Sequence, residues 1–237
     1  MENGMNKTIF AAAMTAALVA PMFAHAEAGD WVVRLRAVNV MPNESSSLGK
    51  DVNNIYGAAL MTPSADLSVD NNLIPELDIS YYFTKNVAAE LILALGTKHD
   101  VSIVGDNAGI VGNQNLGEVD LLPPTLTLQW HFNPDQMIDP YVGAGINYTI
   151  ALDRHLKGSA GAINGSKIKI DRDSWGWALQ AGVDVNLDDG WLVNFDVKYI
   201  DVDTNVKLDL ANNGDWRKID DLDINPWVIG VGIGKKF

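Results

Sequence analysis

The chain has 237 residues, a formal net charge of −13, no cysteine and a mean hydropathy of +0.02. That length suits one domain, the acidity argues against nucleic acid as a partner, and the lack of cysteine excludes a disulfide framework and thiolate chemistry. Hydropathy near zero is also what results when apolar and polar positions alternate along strands.

At the N-terminus Lys7 gives a positive start, Thr8 to Phe23 forms an apolar run, and Ala24-His25-Ala26 is a small-x-small cleavage site. Residues 1–26 therefore read as a secretory signal, with the mature chain expected to begin at Glu27. Removing them takes away Glu2 and Lys7 and leaves the net charge unchanged. No later stretch approaches the roughly 20 apolar residues that a membrane helix needs. In a membrane the chain has one other option, a closed barrel in which every backbone group is paired.

Alternation with period 2 then recurs along the mature chain. A first strand is expected over Trp31 to Val40, with Trp31, Val33, Leu35 and Ala37 outward and Val32, Arg34, Arg36, Val38 and Val40 inward. Met41 to about Asn72, rich in Ser, Asn and Gly, reads as a long loop. The second strand, Leu73 to Phe83, turns Glu76, Asp78 and Ser80 inward. Thr84-Lys85-Asn86 leads into the third, Val87 to Lys98, where Glu90 falls on the inward face. A loop from His99 to Gly117 precedes the fourth strand, Glu118 to Phe132, with Thr125, Thr127, Gln129 and His131 inward. Pro123-Pro124 interrupts it, because two prolines remove two ladder donors. Tyr141 to Leu152 forms the fifth strand, and Asp153 to Arg172 a third long loop.

The clearest signal is the hairpin from Asp173 to Tyr199. Trp175, Trp177, Leu179, Ala181, Val183, Val185 and Leu187 share one face, Asp188-Asp189-Gly190 turns the chain, and Trp191, Val193, Phe195, Val197 and Tyr199 continue that face. Strands this long with aromatic ends suit a bilayer, where Trp and Tyr settle at the interfaces. After a last loop near Leu210 to Ile219, the final strand carries Trp227, Ile229, Val231, Ile233 and Phe237 on one face and Gly230, Gly232 and Gly234 on the other. The fold class is thus all-β, an eight-stranded antiparallel transmembrane barrel over residues 27–237, with short periplasmic turns and long extracellular loops.

Several stretches together resemble one family. They are Gly29-Asp30-Trp31, Leu122-Pro123-Pro124-Thr125-Leu126 before Gln129-Trp130, Tyr141-Val142-Gly143-Ala144-Gly145-Ile146-Asn147-Tyr148, and Asp173-Ser174-Trp175-Gly176. Trp191-Leu192-Val193-Asn194, Asp201-Val202-Asp203-Thr204, Asn225-Pro226-Trp227 and the terminal Phe237 complete the set. In order and over nearly the whole mature chain, they resemble the OmpW family of outer-membrane proteins, which includes the AlkL-type alkane importers. The match is weakest in the three long loops. The resemblance implies an outer-membrane location and passive uptake of small hydrophobic molecules through a narrow apolar channel that opens sideways into the membrane. It also implies outer-membrane lipid and lipopolysaccharide as surroundings, and the barrel assembly machinery, whose recognition mark Phe237 resembles, as a partner in biogenesis. No cofactor is implied.

The residues speak to transport independently. Near the periplasmic turn the inward positions are Asn194, Asp196 and Lys198, whereas farther out they become Ile200, Val202, Val206 and Leu208. The last strand mirrors this, with Leu222, Ile224, Pro226 and Val228 inward in its outer half, and the first strand places Val38 and Val40 above Arg34 and Arg36. An eight-stranded barrel barely holds its own side chains, so no open aqueous pore is expected. Arg34, Arg36, Lys198 and Lys98 are available to pair with Glu76, Asp78, Glu90, Asp184 and Asp196 as a polar plug. Above it, Val38, Val40, Ile200, Val202, Val206, Leu222, Ile224 and Val228 line an apolar funnel, and Pro123-Pro124 is either a lateral gate or a plain strand terminator. The outer switch in polarity has a second explanation, a bulge or strand ends packed on their own loops.

Two rival classes remain. A structural or adhesive OmpA-type barrel would fill its outer lumen and transport nothing. A hydrolase or acyltransferase needs a nucleophile beside a base, yet His99 and His155 lie in or next to loops without a paired serine, and His131, beside Trp130, reads as a membrane-interface residue. No enzyme, catalytic residue or metal site is therefore expected. Asp100, Asp106, Asp201 and Asp203 read as solvated surface charge rather than as a calcium site.

Overall fold

A computed structural model describes residues 27–94 and 96–237. The expected signal segment lies outside the described residues. Eight strands close into a ring through β1 (Trp31–Met41), β3 (Asn72–Tyr82), β4 (Val87–Ala94), β7 (Thr125–His131), β8 (Ile138–Asp153), β11 (Asp173–Asn186), β12 (Trp191–Ile200) and β15 (Trp227–Lys236). Each pairs antiparallel with the next, and β15 returns to β1 over Val32↔Lys236 to Met41↔Trp227. Trp31 and Phe237 exchange both backbone hydrogen bonds, at 3.1 and 2.8 Å, which ties the chain's last residue into the seam. No edge strand remains in the membrane-spanning ring, which is how a sheet satisfies its backbone in lipid.

The alternation sets the two faces. Along β12, Leu192, Asn194, Asp196, Lys198 and Ile200 are buried, while Trp191 and Phe195 are about half exposed to the outside. Two aromatic belts bound the outward apolar band. Trp31, Tyr81 and Phe83 stack in series at the end with short turns, and Trp175 on Tyr148, then Trp177, Tyr199 and Trp227 in sequence, mark the other end. At the short-turn end Asp189 and Gly190 take φ of 59° and 74°, the left-handed pair that lets three residues reverse the hairpin.

Beyond the outer belt the barrel wall continues as extensions. β5 (Thr97–Val104) and β6 (Gln114–Leu122) prolong β4 and β7, and β2 (Asp66–Val69) pairs on β5. On the opposite side β9 (His155–Lys157), β10 (Lys167–Ile170), β13 (Asp203–Asp209) and β14 (Arg217–Asp223) form a separate four-stranded sheet. Helix α1 (Leu48–Tyr56) lies against β14 and β2, ended by Gly57 at φ 65°. Leu48, Val52 and Met61 join Ile103, Val111, Ile168, Leu208 and Ile219 in one apolar core outside the membrane.

Three expectations change here. The segments 41–72, 99–117 and 153–172 are not loops throughout, since they carry α1, β2, most of β5, the start of β6, β9 and β10. The third strand does not run on to Lys98. Gly96, at φ 73°, breaks it and reverses its parity. Residues 88, 90, 92 and 94 face inward below the break, and 97, 99, 101 and 103 face inward above it. Lys98 is for that reason no part of the plug, and it pairs with Glu118 at 2.7 Å on the outer surface.

Candidate functional site

The lower lumen is filled by ions that alternation has turned inward. Arg34 grips Asp184 with two bonds, Nε to Oδ1 at 3.2 Å and Nη2 to Oδ2 at 2.5 Å, and its Nη1 reaches Ser80 and Glu90. Arg36 donates to Asn194 at 2.6 Å, Glu76 at 3.2 Å and Glu90 at 3.1 Å. Lys198 bridges Glu76 at 2.7 Å and Asp196 at 2.6 Å. Gln129 and Gln180 both donate to Glu90 Oε2 at 2.7 Å, and Tyr141 donates to Asp196 at 2.8 Å. Asp78 Oδ2 lies 3.0 Å from Arg36 Nη1, in Coulombic contact, yet neither Asp78 oxygen accepts a well-aligned hydrogen bond from the protein.

These groups interlock because the backbone beside them is bare. A Cβ at Gly232 would come within 2.2 Å of the Leu35 carbonyl and 2.8 Å of Arg36 Cγ, and one at Gly234 within 2.9 Å of Arg34 Cγ. The glycines of β15 thus leave the volume that the arginine stems fill. Arg34, Arg36, Glu76, Asp78, Glu90, Asp196 and Lys198 form a single network, all of them 4% exposed or less.

His131 sits below that network and is fully buried, so its reading as a membrane-interface residue is corrected. Counting from Thr125, odd positions point inward, and the aromatic at the interface is its neighbour Trp130. Its Nδ1 lies 2.7 Å from Asp139, its ring stacks on Tyr141, and Tyr82 Oη is 3.1 Å from Nε2. His131, Asp139 and Asp184 bring candidate ligand atoms within 4.8 Å of one another. Asp184 is already held by Arg34 and Asn194, and Asp139 by His131 and the Asn133 N–H, so this geometry serves protein partners.

Above the network side-chain chemistry changes while parity does not. Asn194, Asp196, Lys198, Ile200, Val202, Val206 and Leu208 all face inward, so a bulge does not account for the switch in polarity on this strand. The structure brings Val38, Val40, Ile200, Val202, Val206, Leu222, Ile224 and Val228 together around one cavity, about 1000 Å³ with its opening to solvent included. Ile92, Ala94, Val119, Leu121 and Pro123 complete its opposite wall, with Leu67, Val101, Leu116 and Leu156 from the extensions above. Sequence reading missed this second wall although it is open to the same counting. Ile92 and Ala94 share the inward parity of Glu90, and Val119, Leu121 and Pro123 that of Thr125, and only Val101 is hidden by the reversal at Gly96. A smaller apolar void of about 370 Å³ in the loop core shares Leu67, Leu116 and Val206 with the cavity.

Among the described residues strand pairing stops between Glu76↔Ala94 of β3–β4 and Val69↔Val101 of β2–β5, where Asp70 N–H to the Asp100 carbonyl and Asn72 to the Lys98 carbonyl bridge the gap. Two further interruptions lie in the wall around the cavity. The β4–β7 ladder ends at Ile92↔Thr125 and pairing resumes in β5–β6 at Thr97↔Leu121; among the described residues Leu93, Ala94 and Gly96 have no strand ladder to Leu122, Pro123 and Pro124. On its other side Pro124 is held, since its carbonyl accepts from Tyr148 N at 3.0 Å. The second of these further interruptions lies between β11 and β12, whose ladder stops at Ala178↔Ile200 and resumes in β10–β13 at Ile170↔Val206. Asp171, Arg172, Asp173, Ser174, Asp203 and Thr204 rim a small pocket there, and the Gly176 position is kept bare by the Asp201 carbonyl, 1.7 Å from where a Cβ would stand. One break is apolar, the other polar.

Residues 27–237 match the family model described as the OmpW family. The chain is 35% identical to outer membrane protein W of Vibrio cholerae, over 98% of this chain and 100% of that protein. It is 30% identical to outer membrane protein AlkL of Ectopseudomonas oleovorans, over 88% of this chain and 83% of that one. Among solved structures, the crystal structure of the outer membrane protein OprG from Pseudomonas aeruginosa matches with a TM-score of 0.75 at 30% identity, covering 91% of this chain and 99% of that chain.

Proposed function

The chain belongs to the OmpW family of outer-membrane β-barrels, and from that premise we propose that it admits small hydrophobic molecules passively, through the apolar outer cavity, and releases them sideways into the membrane. The observation that carries this reading is the cavity itself: about 1000 Å³ of apolar-walled space, its opening to solvent included, directly above a lumen closed by ions. An apolar solute gains from leaving water for such walls, by about 25 cal/mol per Å² of buried surface. It gains nothing from the charged network below and would have to break ion pairs to pass. The favourable exit is lateral.

Pro123 and Pro124 mark the exit in this reading. The break beside them is bordered by Leu93 and Leu122, and among the described residues no strand ladder crosses it, so the walls can part there at low cost. The break at Asp171 to Ser174 has a charged rim and suits the headgroup layer better than hydrocarbon. A purely structural barrel gives no reason to keep the outer lumen hollow, which favours uptake over the adhesive alternative. Lipid, lipopolysaccharide at the outer surface and, in biogenesis, the assembly machinery are the partners, and no cofactor or catalytic residue takes part.

Replacing Val202 and Ile224 together by Asp tests the proposal. Uptake of a medium-chain alkane by cells with an intact outer membrane should fall at least tenfold, while heat-modifiable migration on gels shows the barrel still folded. Undiminished uptake in the folded double variant rejects the cavity as the path.

A further inference from the structure

The cavity's polar groups offer mainly lone pairs. Thr204, whose Oγ1 accepts from the Asp171 N–H at 3.1 Å, is the one threonine of the lining whose hydroxyl proton is not committed among the described residues. Among the described residues Glu76 is the one acidic side chain in its lining. Both of its cationic partners, Arg36 at 3.2 Å and Lys198 at 2.7 Å, reach Oε1. Among the described residues Oε2 takes no hydrogen bond, and the only fully enclosed side-chain atoms without a partner are the two oxygens of Asp78. Oε2 of Glu76 therefore remains open to the cavity, with its lone pairs free.

The neighbouring groups repeat that bias. Thr97 donates to the Leu121 carbonyl, Thr125 to the Pro123 carbonyl at 3.2 Å and Thr149 to Asn147 Oδ1 at 2.7 Å, so each hydroxyl proton is already committed. His99 Nδ1 lies 2.9 Å from the Asp70 carbonyl, which can only accept, and this places the proton on Nδ1 and leaves Nε2 as an acceptor. The buried lumen beneath holds six carboxylates (Glu76, Asp78, Glu90, Asp139, Asp184, Asp196) against four amino or guanidinium groups (Arg34, Arg36, Lys198, Lys236). Its field disfavours a further anion.

Resting on the uptake reading above, we propose that this cavity selects amphiphiles whose head donates hydrogen bonds and carries no negative charge, medium-chain primary alcohols and alkylamines, with the head on Glu76 Oε2 and the tail among Val38, Ile200, Val202 and Val228. A plain alkane leaves Oε2 without a partner. A carboxylate of equal chain length meets lone pairs and excess negative charge.

The test uses the full mature chain in lipid nanodiscs and the fluorescent apolar probe 1-aminoanthracene, displaced in turn by octylamine, 1-octanol, octane and octanoate. Free concentrations are corrected for partition into protein-free discs. Octylamine and octanol should displace the probe at concentrations at least about tenfold below octanoate, the size of one hydrogen bond to a charged group. In Glu76→Gln, checked for heat-modifiable folding, the octylamine-to-octanoate ratio should shrink towards one. The wild-type series stands alone if that variant does not fold. Equal displacement by all four ligands overturns the head-group selection and leaves the apolar uptake path standing, whereas a probe that fails to bind the wild-type protein overturns both.

Discussion

The lower and upper halves of one lumen follow one another along the same stretches of chain, with inward parity kept from Asn194 to Leu208 and from Leu222 to Gly234, and do opposite things. Below Ile200 the inward side chains are charged or polar and most are held by several partners, as Arg36 is by Asn194, Glu76 and Glu90. Above it they are Val202, Val206, Leu222 and Ile224, which fill less than the space between them and leave the cavity. Charge within a closed barrel must be matched group by group, and matching packs the lumen solid. Apolar walls carry no such requirement, so a hollow can persist where the contents are greasy. The boundary between plug and path is thus a change of side-chain chemistry along the inner face of the wall, close to where the ladders are interrupted.

The sharpest way to break the contrast is to make the lower half resemble the upper. Arg36→Leu removes the cation shared by Glu76, Asp78 and Glu90 and leaves buried carboxylates uncompensated, a loss of about 3–5 kcal/mol that urea unfolding followed by tryptophan fluorescence would register. If stability were unchanged, the network would be ornamental to the fold. Next in size is the wall itself. Extending the β4–β7 register places Ala94 opposite Pro123, and both line the cavity. An Ala94→Cys, Pro123→Cys disulfide should cut alkane uptake severalfold, with recovery on adding reductant. Loss of uptake on crosslinking the Ser174–Asp203 side instead would move the exit to the polar break.

A smaller effect is expected outside the membrane, where Asp106, expected from the sequence to be solvated surface charge, is instead buried at 2% exposure because it clamps the loop core. Burial pushes its carboxyl up, but the backbone N–H groups of Thr62 and Gly112, each at 2.7 Å, outweigh that and hold it below the usual carboxylate range. A carboxyl that titrates lower when folded stabilises fully above its unfolded value of about 3.9. That contribution fades as pH falls through the lower folded value. Asp106→Asn should loosen the 62–112 region by about 1 kcal/mol at neutral pH and remove its dependence on acid, read as amide exchange of Thr62 and Gly112. Exchange as slow as in the wild-type chain, with the same response to acid, would show that the clamp does not hold the loops.

The spanning strands were legible because lipid on one side and a packed lumen on the other enforce strict alternation, and Arg34, Arg36, Lys198 and their carboxylates declare the inward parity on their own. The apolar positions from Val38 to Val228 followed from the same counting. What escaped was governed by single backbone events or by short elements. Gly96 reverses parity, which put Lys98 on the wrong face and concealed Val101, while Leu116 fell in a segment expected to be a loop, beside a register shift in the β5–β6 ladder. Helix α1 is nine residues in a Ser- and Asn-rich stretch, stabilised by packing on β14 rather than by a strong local signal. The polar break at Asp171 to Ser174 arises where two ladders fail to meet, a pairing that no single segment encodes. His131 was readable from parity, and only its neighbour Trp130 argued otherwise.

The measurement that bears most directly on the central claim compares uptake of a medium-chain alkane with that of a hydrophilic solute of similar size, in cells with an intact outer membrane, with and without this protein. The apolar cavity above a sealed ionic floor predicts faster uptake of the alkane alone. Faster uptake of the hydrophilic solute would mean that water crosses the Arg34–Arg36–Lys198 network, and would contradict the account.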